Sequence, residues 1–251
     1  MARRAALVTG ASYGVGAATA LSLARGGFDV AVTATRRDNL AATLKTLEAA
    51  GARAVAAELD LRSEDSIAQA FADVVAAFGG LDVLVNNAGV NLRKDATEVT
   101  APEWDAVMNV NVRGTFFLTQ KAGRHLIGAA RGGCIVTIAS THALAGAPQR
   151  STYGISKAAL IGMTRMLAVE WAAHDIRVNA IAPGRLATAS PSRAGKGADA
   201  SYMAAMLERI PLHRLASVEE VAAAAAYLAS PAAAAITGQV LVLDGGLTAS
   251  A

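Results

Sequence analysis

The stretch AALVTGASYGVG, residues 5–16, places a short apolar segment directly before a turn with three glycines. The apolar run Ala5–Thr9 predicts a first strand, and a helical pattern begins near Gly14. Gly10, Gly14 and Gly16 allow a tight turn and close backbone approach, and the helix N-terminus then offers free N–H groups to a phosphate. Such a turn is weak evidence alone. At the first strand–helix junction it predicts a dinucleotide-binding fold, although the glycine spacing differs from GxGxxG.

The remaining chain alternates apolar runs with helical patterns. Capping boxes at Thr100–Glu103 and Ser217–Glu220 each predict a helix start. We find no linker, repeat or second domain, so we expect a Rossmann-type α/β fold over 1–251. It is a doubly wound parallel seven-stranded sheet in three αβα layers, with a substrate lid at 185–212 that contains a helix near Ser201–Arg209. The predicted strands after the first are Asp29–Ala34, Arg53–Leu59, Leu81–Val85, Cys134–Ala139, Ile176–Ile181 and Gln239–Leu243.

Composition and charge narrow the class of protein. The chain is 53% apolar with a net charge of +3, and its 23 basic residues are scattered, so nucleic acid is not an expected partner. The single cysteine, Cys134, excludes an internal disulfide, agrees with a reducing compartment and is predicted to be a buried structural thiol. Pro231 and Gly238 interrupt the uncharged stretch 221–243, so we expect no membrane span and a cytoplasmic protein.

The ends of three strands carry candidate nucleotide contacts. Thr35, Arg36 and Arg37 follow the second strand, where a fold that binds NAD usually has an acidic residue. This favours NADP(H) over NAD(H), with Thr35 and Arg36 as the contacts; alternatively, the arginines only solvate the next helix. Asp60 can hold an adenine edge or cap its turn. The loop 86–89, NNAG, can leave room for a ligand or form a plain turn.

Tyr153 and Lys157 lie four residues apart, so on a helix they share one face. A free tyrosine has a pKa of about 10. A nearby cation favours the phenolate and brings that pKa towards the range useful for acid–base catalysis. Ser140 follows the fifth strand, at the sheet edge where open α/β sheets bind ligands. Asn111 falls inside a predicted helix, which is unfavourable and calls for a reason.

In these motifs the chain resembles the single-domain short-chain dehydrogenase/reductase family, over essentially its whole length. Within that family it looks closest to the β-ketoacyl-carrier-protein reductase-like ketoreductases. The resemblance rests on TGASYGVG at 9–16, DL at 60–61, NNAG at 86–89, Asn111, Ser140, Tyr153, Lys157, PG at 183–184 with Thr188, and DGG at 244–246.

The resemblance implies catalytic roles for four residues. Ser140 would hydrogen-bond the substrate carbonyl, and Tyr153 would donate a proton to it while a nicotinamide gives a hydride. Lys157 would lower the pKa of Tyr153 and hold the nicotinamide ribose. Asn111 would bend its helix around a water that links Lys157 to solvent.

The cofactor contacts form a larger set along the carboxyl edge of the sheet. Many NADP-preferring members carry an arginine inside the glycine-rich turn where this chain has Tyr13, so the choice of NADP(H) rests on Thr35, Arg36 and the missing acid. The contacts implied are Gly10, Ser12, Tyr13, Gly14, Val15, Gly16, Thr35, Arg36, Asp60, Leu61, Asn87, Ala88, Gly89, Tyr153, Lys157, Pro183, Gly184, Leu186 and Thr188.

The substrate side has fewer signals. His142 and Gln149 are candidate substrate contacts. Arg150 and Arg193, at the expected pocket rim, can attract a carboxylate or phosphate, or are simply solvated surface charges. The other histidines have no partner at metal-ligand spacing, so no metal site is expected; they are His125, His174 and His213.

We expect an NADP(H)-dependent oxidoreductase acting on a small-molecule carbonyl or secondary alcohol, and the resemblance implies a homotetramer. Three alternatives remain open. One is an NAD(H)-dependent sugar or polyol dehydrogenase. Another is a non-catalytic protein that senses a dinucleotide. The third is imine reduction or epimerisation on the same scaffold.

Overall fold

The computed structural model describes residues 3–187 and 200–250. The main strands cover Arg4–Val8 (β1), Phe28–Ala34 (β2), Ala54–Glu58 (β3), Val83–Asn86 (β4), Gly133–Ile138 (β5), Ile176–Pro183 (β6) and Val240–Leu243 (β9). Two short strands, Leu186–Ala187 (β7) and Ala216–Ser217 (β8), pair with each other. The main sheet has seven strands in the order β3-β2-β1-β4-β5-β6-β9, all paired in parallel. The predicted doubly wound sheet is therefore confirmed.

Helices cover both faces of this sheet. One core cluster packs Leu23 and Leu228 against one face, and another packs Ile67, Leu118 and Trp171 against the opposite face. The result is the predicted three-layer arrangement. The helices are Gly14–Arg25 (α1), Ala41–Ala49 (α2), Glu64–Phe78 (α3), Ala101–Met108 (α4), Thr115–Ala129 (α5), Ser151–Trp171 (α6), Ala200–Glu208 (α7) and Val218–Ala229 (α8).

Several local predictions hold. Both capping boxes, Thr100–Glu103 and Ser217–Glu220, form and start α4 and α8. Cys134 is fully buried, its thiol donates to the carbonyl of Leu228 at 3.3 Å, and burial raises its pKa to about 11, as expected for a structural thiol. Within 3–187 and 200–250, every helix is too short or too polar to cross a bilayer.

The predicted lid at 185–212 falls only partly within the described residues. α7 confirms the helical piece that the sequence indicates, and β7 adds a short strand where irregular chain was expected. Thr188 and Arg193 lie outside the described residues. The role of the segment as a lid stays a prediction.

A π-helical segment, Asn109–Gly114, joins α4 to α5 and accounts for the unusual asparagine in this stretch. Such a segment inserts an extra residue into a helical turn and is common at functional sites. It places Asn111 inward with no exposed surface. At its end Gly114 lies against the chain after β3, where a Cβ would come within 2.0 Å of the carbonyl oxygen of Leu61. A glycine is therefore required to close this packing.

We expect Gly114→Ala to lower the free energy of unfolding by about 1–3 kcal/mol or more, because backbone must move to admit the methyl group. Gly128→Ala is the matched control in the adjoining α5, since a Cβ there meets no atom within 4 Å. It should be neutral or stabilising by up to about 1 kcal/mol. Urea denaturation of both variants measures the difference, and equal stabilities would contradict the close packing at Gly114.

Candidate active site

The glycine-rich turn lies between β1 and α1, at the point where the strand order reverses. Gly10 and Gly14 have φ of +63° and +61°, a region that favours glycine. A Cβ at Gly16 would lie 2.4 Å from the carbonyl oxygen of Gly10, and one at Gly10 would lie 2.8 Å from the Cα of Ala88. A side chain would therefore fill this cradle.

The start of α1 leaves donors free for an anion. Tyr13 occupies the N-cap without a side-chain hydrogen bond, and the first turn contains no acidic residue. Tyr13 is 54% exposed, so its ring projects from the turn. Ser12 and Val15 are partly buried beside it. Free N–H groups at the positive end of a helix dipole suit a pyrophosphate, so the turn fits a dinucleotide.

Asn87 and Thr9 join this turn to the loop after β4. The Thr9 hydroxyl accepts hydrogen bonds from the backbone N–H of Asn87 and of Ala88, both at 3.0 Å. The Asn87 amide donates to the carbonyls of Thr9 and Gly10, both at 2.9 Å. These bonds hold the crevice between β1 and β4 in a fixed shape. They favour the ligand-loop interpretation of NNAG over a plain turn.

The loop after β2 presents cations. Thr35, Arg36 and Arg37 are exposed, and among the described residues the Arg36 guanidinium has no hydrogen bond or ion pair. Sequence reasoning missed Glu58, whose carboxylate accepts from the backbone N–H of Arg37 at 3.1 Å. Glu58 pairs with Ala34 across the sheet, so only the β2–β3 register reveals it. The region therefore contains a carboxylate as well as arginines.

Asp60 is held within its own turn. Its carboxylate accepts from the side chain of Arg62 at 2.7–3.1 Å and from the backbone N–H of Arg62 at 2.9 Å. The Arg62 hydrogen bond is the main cause that keeps the pKa of Asp60 below its usual value. Leu61 beside it is buried. This geometry supports the turn-capping alternative, and an adenine contact stays a prediction.

Ser140 lies just beyond the carboxyl end of β5, and Lys157 and Tyr153 of α6 contact residues on either side of it in the chain, Ile138 and His142. Ser140 precedes a short 3₁₀ turn, and its hydroxyl accepts from the backbone N–H of His142 at 3.2 Å. Tyr153 lies in the first turn of α6. The Lys157 Nζ is 5.7 Å from the Tyr153 ring centroid and donates to the carbonyl of Ile138 at 2.8 Å. Tyr153 and Lys157 therefore share one face of α6, as predicted.

Lys157 is buried, with 4% of its surface exposed. Burial lowers its pKa to about 8 because an ammonium loses water contacts that the protein replaces only in part. The group can therefore gain or lose a proton near neutral pH. A buried amine of this kind is typical of sites that move protons.

Asn111 fixes the loop opposite the lysine. Its amide accepts from the N–H of Val90 at 2.8 Å and donates to the carbonyl of Val90 at 2.9 Å and to the Ser156 hydroxyl at 3.0 Å. A Cβ at Gly89 would lie 3.1 Å from Asn111 Oδ1 and 3.5 Å from Lys157 Nζ, so the loop backbone passes close to both. Asn111 lies in the π-helical segment. The bend of the helix around a water and the proton relay through that water stay predictions.

The two candidate substrate contacts, His142 and Gln149, have different neighbours. The His142 ring meets the Tyr153 ring edge-on, with centroids 6.0 Å apart. A Cβ at Gly154 would lie 2.9 Å from the His142 carbonyl, so glycine allows this approach. Gln149 has φ of +60°, and its side-chain oxygen accepts from Arg93 Nε at 2.9 Å. The structure therefore brings His142 to the proposed catalytic group, whereas Gln149 joins two loops.

The predicted nicotinamide side lies at the ends of β6 and β9. Pro183 ends β6, Leu186 lies in β7, and a Cβ at Gly184 would meet the Cβ of Asp244 at 2.8 Å. Asp244 accepts from the backbone N–H of Gly246 and from the backbone and hydroxyl of Thr248 at 2.7–2.9 Å. Asp244, the first residue of the DGG motif, thus fixes the turn beneath this loop.

Across the part of the chain that the structure describes, no group of three His, Cys, Asp or Glu residues can hold a metal.

Comparisons with known proteins match nearly the whole chain. A family model described as "Enoyl-(Acyl carrier protein) reductase" matches residues 10–248. The 2-dehydro-3-deoxy-D-gluconate 5-dehydrogenase of Escherichia coli is 38% identical, covering 97% of this chain and 94% of its own. The cis-4-hydroxycyclohexanecarboxylate dehydrogenase of Sinomonas cyclohexanicum is 42% identical, covering 99% and 98%.

Solved structures agree. A putative short-chain alcohol dehydrogenase from Sinorhizobium meliloti superposes with a TM-score of 0.95 at 43% identity, covering 100% of this chain and 98% of that one. A putative 2-deoxy-D-gluconate 3-dehydrogenase from Agrobacterium tumefaciens with bound NADP gives 0.89 at 39% identity, covering 99% and 98%. A 3-oxoacyl-[acyl-carrier protein] reductase from Brucella melitensis in complex with NAD gives 0.91 at 33% identity, covering 99% and 98%.

Fold, motif order and these matches agree along the chain, so the protein is an oxidoreductase that acts on a CH–OH or C=O group, of a class that binds a nicotinamide dinucleotide. It belongs to the short-chain dehydrogenase/reductase family.

Burial of Lys157 predicts a pH dependence of stability. Its pKa is about 8 in the folded protein, whereas a lysine exposed to water has an ordinary pKa of 10.5. Between these values the unfolded chain binds more protons, so the free energy of unfolding rises with pH. Below about pH 8 Lys157 is protonated in both the folded and the unfolded state, so its contribution to the free energy of unfolding does not change with pH.

We expect the difference in unfolding free energy between wild type and Lys157→Met to be constant below pH 8 and to rise from pH 8 to 10.5. Urea denaturation without cofactor measures it. Lys45→Met, which removes an exposed lysine, is the control and should show no such rise. Parallel pH profiles for wild type and Lys157→Met would contradict the desolvated ammonium.

Proposed function

We propose that this protein is an NADP(H)-dependent oxidoreductase that interconverts a carbonyl and a secondary alcohol, with Tyr153 as general acid and base. The observation that carries the proposal is the buried Lys157 ammonium 5.7 Å from the Tyr153 ring, at the sheet edge that also holds the glycine cradle. A non-catalytic dinucleotide sensor has no use for a desolvated cation beside a phenol. Imine reduction and epimerisation would use the same groups and stay alternatives.

When held by the glycine-rich turn at Gly10 and Gly16 and by the loop at Asn87, a nicotinamide dinucleotide would supply the hydride for reduction of the carbonyl carbon. Tyr153 donates its phenolic proton to the carbonyl oxygen, so that C=O becomes CH–OH, and the Ser140 hydroxyl hydrogen-bonds the same oxygen. The ammonium of Lys157 stabilises the phenolate that forms. A proton from solvent then restores the phenol, and with its pKa of about 8 Lys157 can take part in that transfer. Oxidation of the alcohol reverses these steps.

Arg36 supports NADP(H) as the cofactor. Its guanidinium is exposed at the end of β2 and has no acidic partner among the described residues. A guanidinium can bind a phosphate through two parallel hydrogen bonds, and a 2′-phosphate is what distinguishes NADP from NAD. The relative from Agrobacterium tumefaciens has NADP bound.

A second candidate is an NAD(H)-dependent dehydrogenase of a sugar or sugar acid. Glu58 favours it, because its carboxylate lies 3.1 Å from the Arg37 backbone nitrogen and can accept a hydrogen bond from a ribose hydroxyl. The Escherichia coli relative acts on a sugar acid by its name, and the Brucella melitensis structure contains NAD.

We also infer a cytoplasmic homotetramer, as the family resemblance implies. Apolar side chains on α6 support association, since Met166 is 67% exposed and Val169 is 82% exposed. Burial of such side chains between copies would remove them from water. Size-exclusion chromatography with light scattering tests the assembly.

We expect Tyr153→Phe to lower kcat by about 10²–10⁴-fold, because the substrate oxygen loses its proton donor. NADPH binding should change little, as followed by fluorescence titration. Tyr227→Phe, at a 45% exposed tyrosine on α8, is the matched control and should keep full turnover. Undiminished turnover by Tyr153→Phe across a panel of ketones, acyl thioesters and sugars would refute the mechanism.

The cofactor assignment predicts that Arg36→Ala raises the Kd for NADPH by about 10- to 100-fold, since a charge-assisted contact is lost, and leaves the Kd for NADH almost unchanged. Arg25→Ala, at an exposed arginine ending α1, should change neither. Glu58→Gln tests the second candidate, the NAD(H)-dependent dehydrogenase. If the Glu58 carboxylate holds the ribose, this substitution would weaken NADH binding. Equal effects of Arg36→Ala on both cofactors would overturn the 2′-phosphate contact.

A further inference from the structure

His142 is fixed against two members of the proposed catalytic set. Its backbone N–H donates to the Ser140 hydroxyl oxygen at 3.2 Å, and its ring meets the Tyr153 ring edge-on, with centroids 6.0 Å apart. Gly154 permits this approach, because a Cβ there would lie 2.9 Å from the His142 carbonyl oxygen. The 3₁₀ turn Thr141–Ala143 is therefore held against the first turn of α6, with the imidazole beside the phenol.

The imidazole of His142 is partly buried, and the protein itself does not use its polar atoms. Across residues 3–187 and 200–250 neither ring nitrogen has a hydrogen-bond partner. Burial, followed by the charge of Arg150, lowers the pKa of His142 below its usual value of 6.5, so the ring is mostly uncharged at neutral pH. An uncharged imidazole has one N–H donor and one acceptor nitrogen. A small number of such polar groups fixes the orientation of a ligand in its pocket.

The position of this ring determines which part of a substrate it can reach. In the proposed reaction the carbonyl oxygen is hydrogen-bonded by Ser140 and protonated by Tyr153, the two residues that His142 contacts. The nearest further substituent of a substrate is the one on the carbon beside the carbonyl. A hydroxyl there both donates and accepts, so it matches an uncharged imidazole in either tautomer. A carboxylate only accepts, and an alkyl group does neither.

We propose that His142 binds a hydroxyl group on the carbon next to the reacting carbonyl, so that the substrates are α-hydroxy ketones and the products are vicinal diols. The proposal rests on the function above and names its substrate class. The carbonyl carbon takes up the hydride and its oxygen takes up the proton of Tyr153, while the neighbouring hydroxyl is unchanged. Contacts to two oxygens fix the orientation of the carbonyl beside Tyr153, whereas a contact to one oxygen leaves the substrate free to rotate.

The kinetic test compares hydroxyacetone with methoxyacetone, which keeps the oxygen but loses the donor, and with butanone, which has a methyl group in its place. We expect wild type to prefer hydroxyacetone over both by about tenfold in kcat/KM, followed by oxidation of the reduced cofactor. His142→Phe keeps a ring beside Tyr153 and should remove this preference, mainly through KM. His142→Gln should keep part of it, since an amide also donates and accepts. His174→Phe, at an exposed histidine after α6, is the control and should keep all of it.

An equal loss on all three ketones in His142→Phe would overturn the proposal, because it indicates that the ring only positions Tyr153. A wild type that reduces methoxyacetone and butanone as well as hydroxyacetone would overturn it too, without reference to any variant. In both cases carbonyl reduction itself is upheld.

Binding without turnover separates this proposal from the proposed function. The enzyme–NADPH complex cannot oxidise an alcohol, so it can be titrated with vicinal cyclohexanediol and with the analogue that has a methyl group in place of one hydroxyl. Isothermal titration should give a Kd for the diol about tenfold below that of the analogue, and His142→Phe should remove the difference. Tyr153→Phe should keep it. Diol-selective binding without reduction of any carbonyl would refute the proposed function alone, whereas equal binding of the two probes, or binding of neither, would refute the hydroxyl contact.

Discussion

The side-chain amide of Asn111 makes three hydrogen bonds on which the arrangement of the site depends. It pairs with both backbone groups of Val90 and with the Ser156 hydroxyl, so the loop after β4 and helix α6 share one anchor. An α-helix would direct this residue elsewhere, and the π segment that turns it inward requires Gly114 to lie against Leu61. Buried polar groups that are fully satisfied fix a single arrangement. The buried lysine next to this loop therefore keeps its position relative to Tyr153.

Much of the fold could be predicted because its signals are local. Each of these signals spans only a few residues: the short apolar runs, the glycines of the first turn and the two capping boxes. The structure has the predicted strand, turn or helix start at each of them. The π segment could be suspected, since Asn111 is unfavourable in a helix, but its form depends on contacts with Val90 and Leu61, far away in the chain. Strand ends also moved by a residue or two, as at Pro183, because pairing with β9 extends β6.

The positions of candidate site residues can be predicted where a single helix or strand determines them. Helical spacing alone places Tyr153 and Lys157 on one face, and the end of a strand alone places Ser140 at the edge of the sheet. Contacts between elements were not predictable: Glu58 reaches the loop after β2 through sheet register, and Asp60 turns towards Arg62 rather than outward. Gln149 accepts a hydrogen bond from Arg93 in another loop, a contact that the sequence does not indicate, and its contact with the substrate stays a prediction. Side-chain partners chosen by tertiary packing leave no periodic signal in the sequence.

The position of β1 in the middle of the sheet bears on how the chain folds. Its neighbours are β2, which follows after one helix, and β4, whose Val85 pairs with Val8 from a distant part of the chain. Parallel pairing of strands that are far apart in the chain forms slowly, because the chain between them loses conformational entropy before the stabilising contacts form. During synthesis β1, β2 and β3 therefore emerge with the open edge of β1 unpaired until β4 arrives. That apolar edge can pair with other chains, so the interval before β4 docks is when aggregation competes with folding.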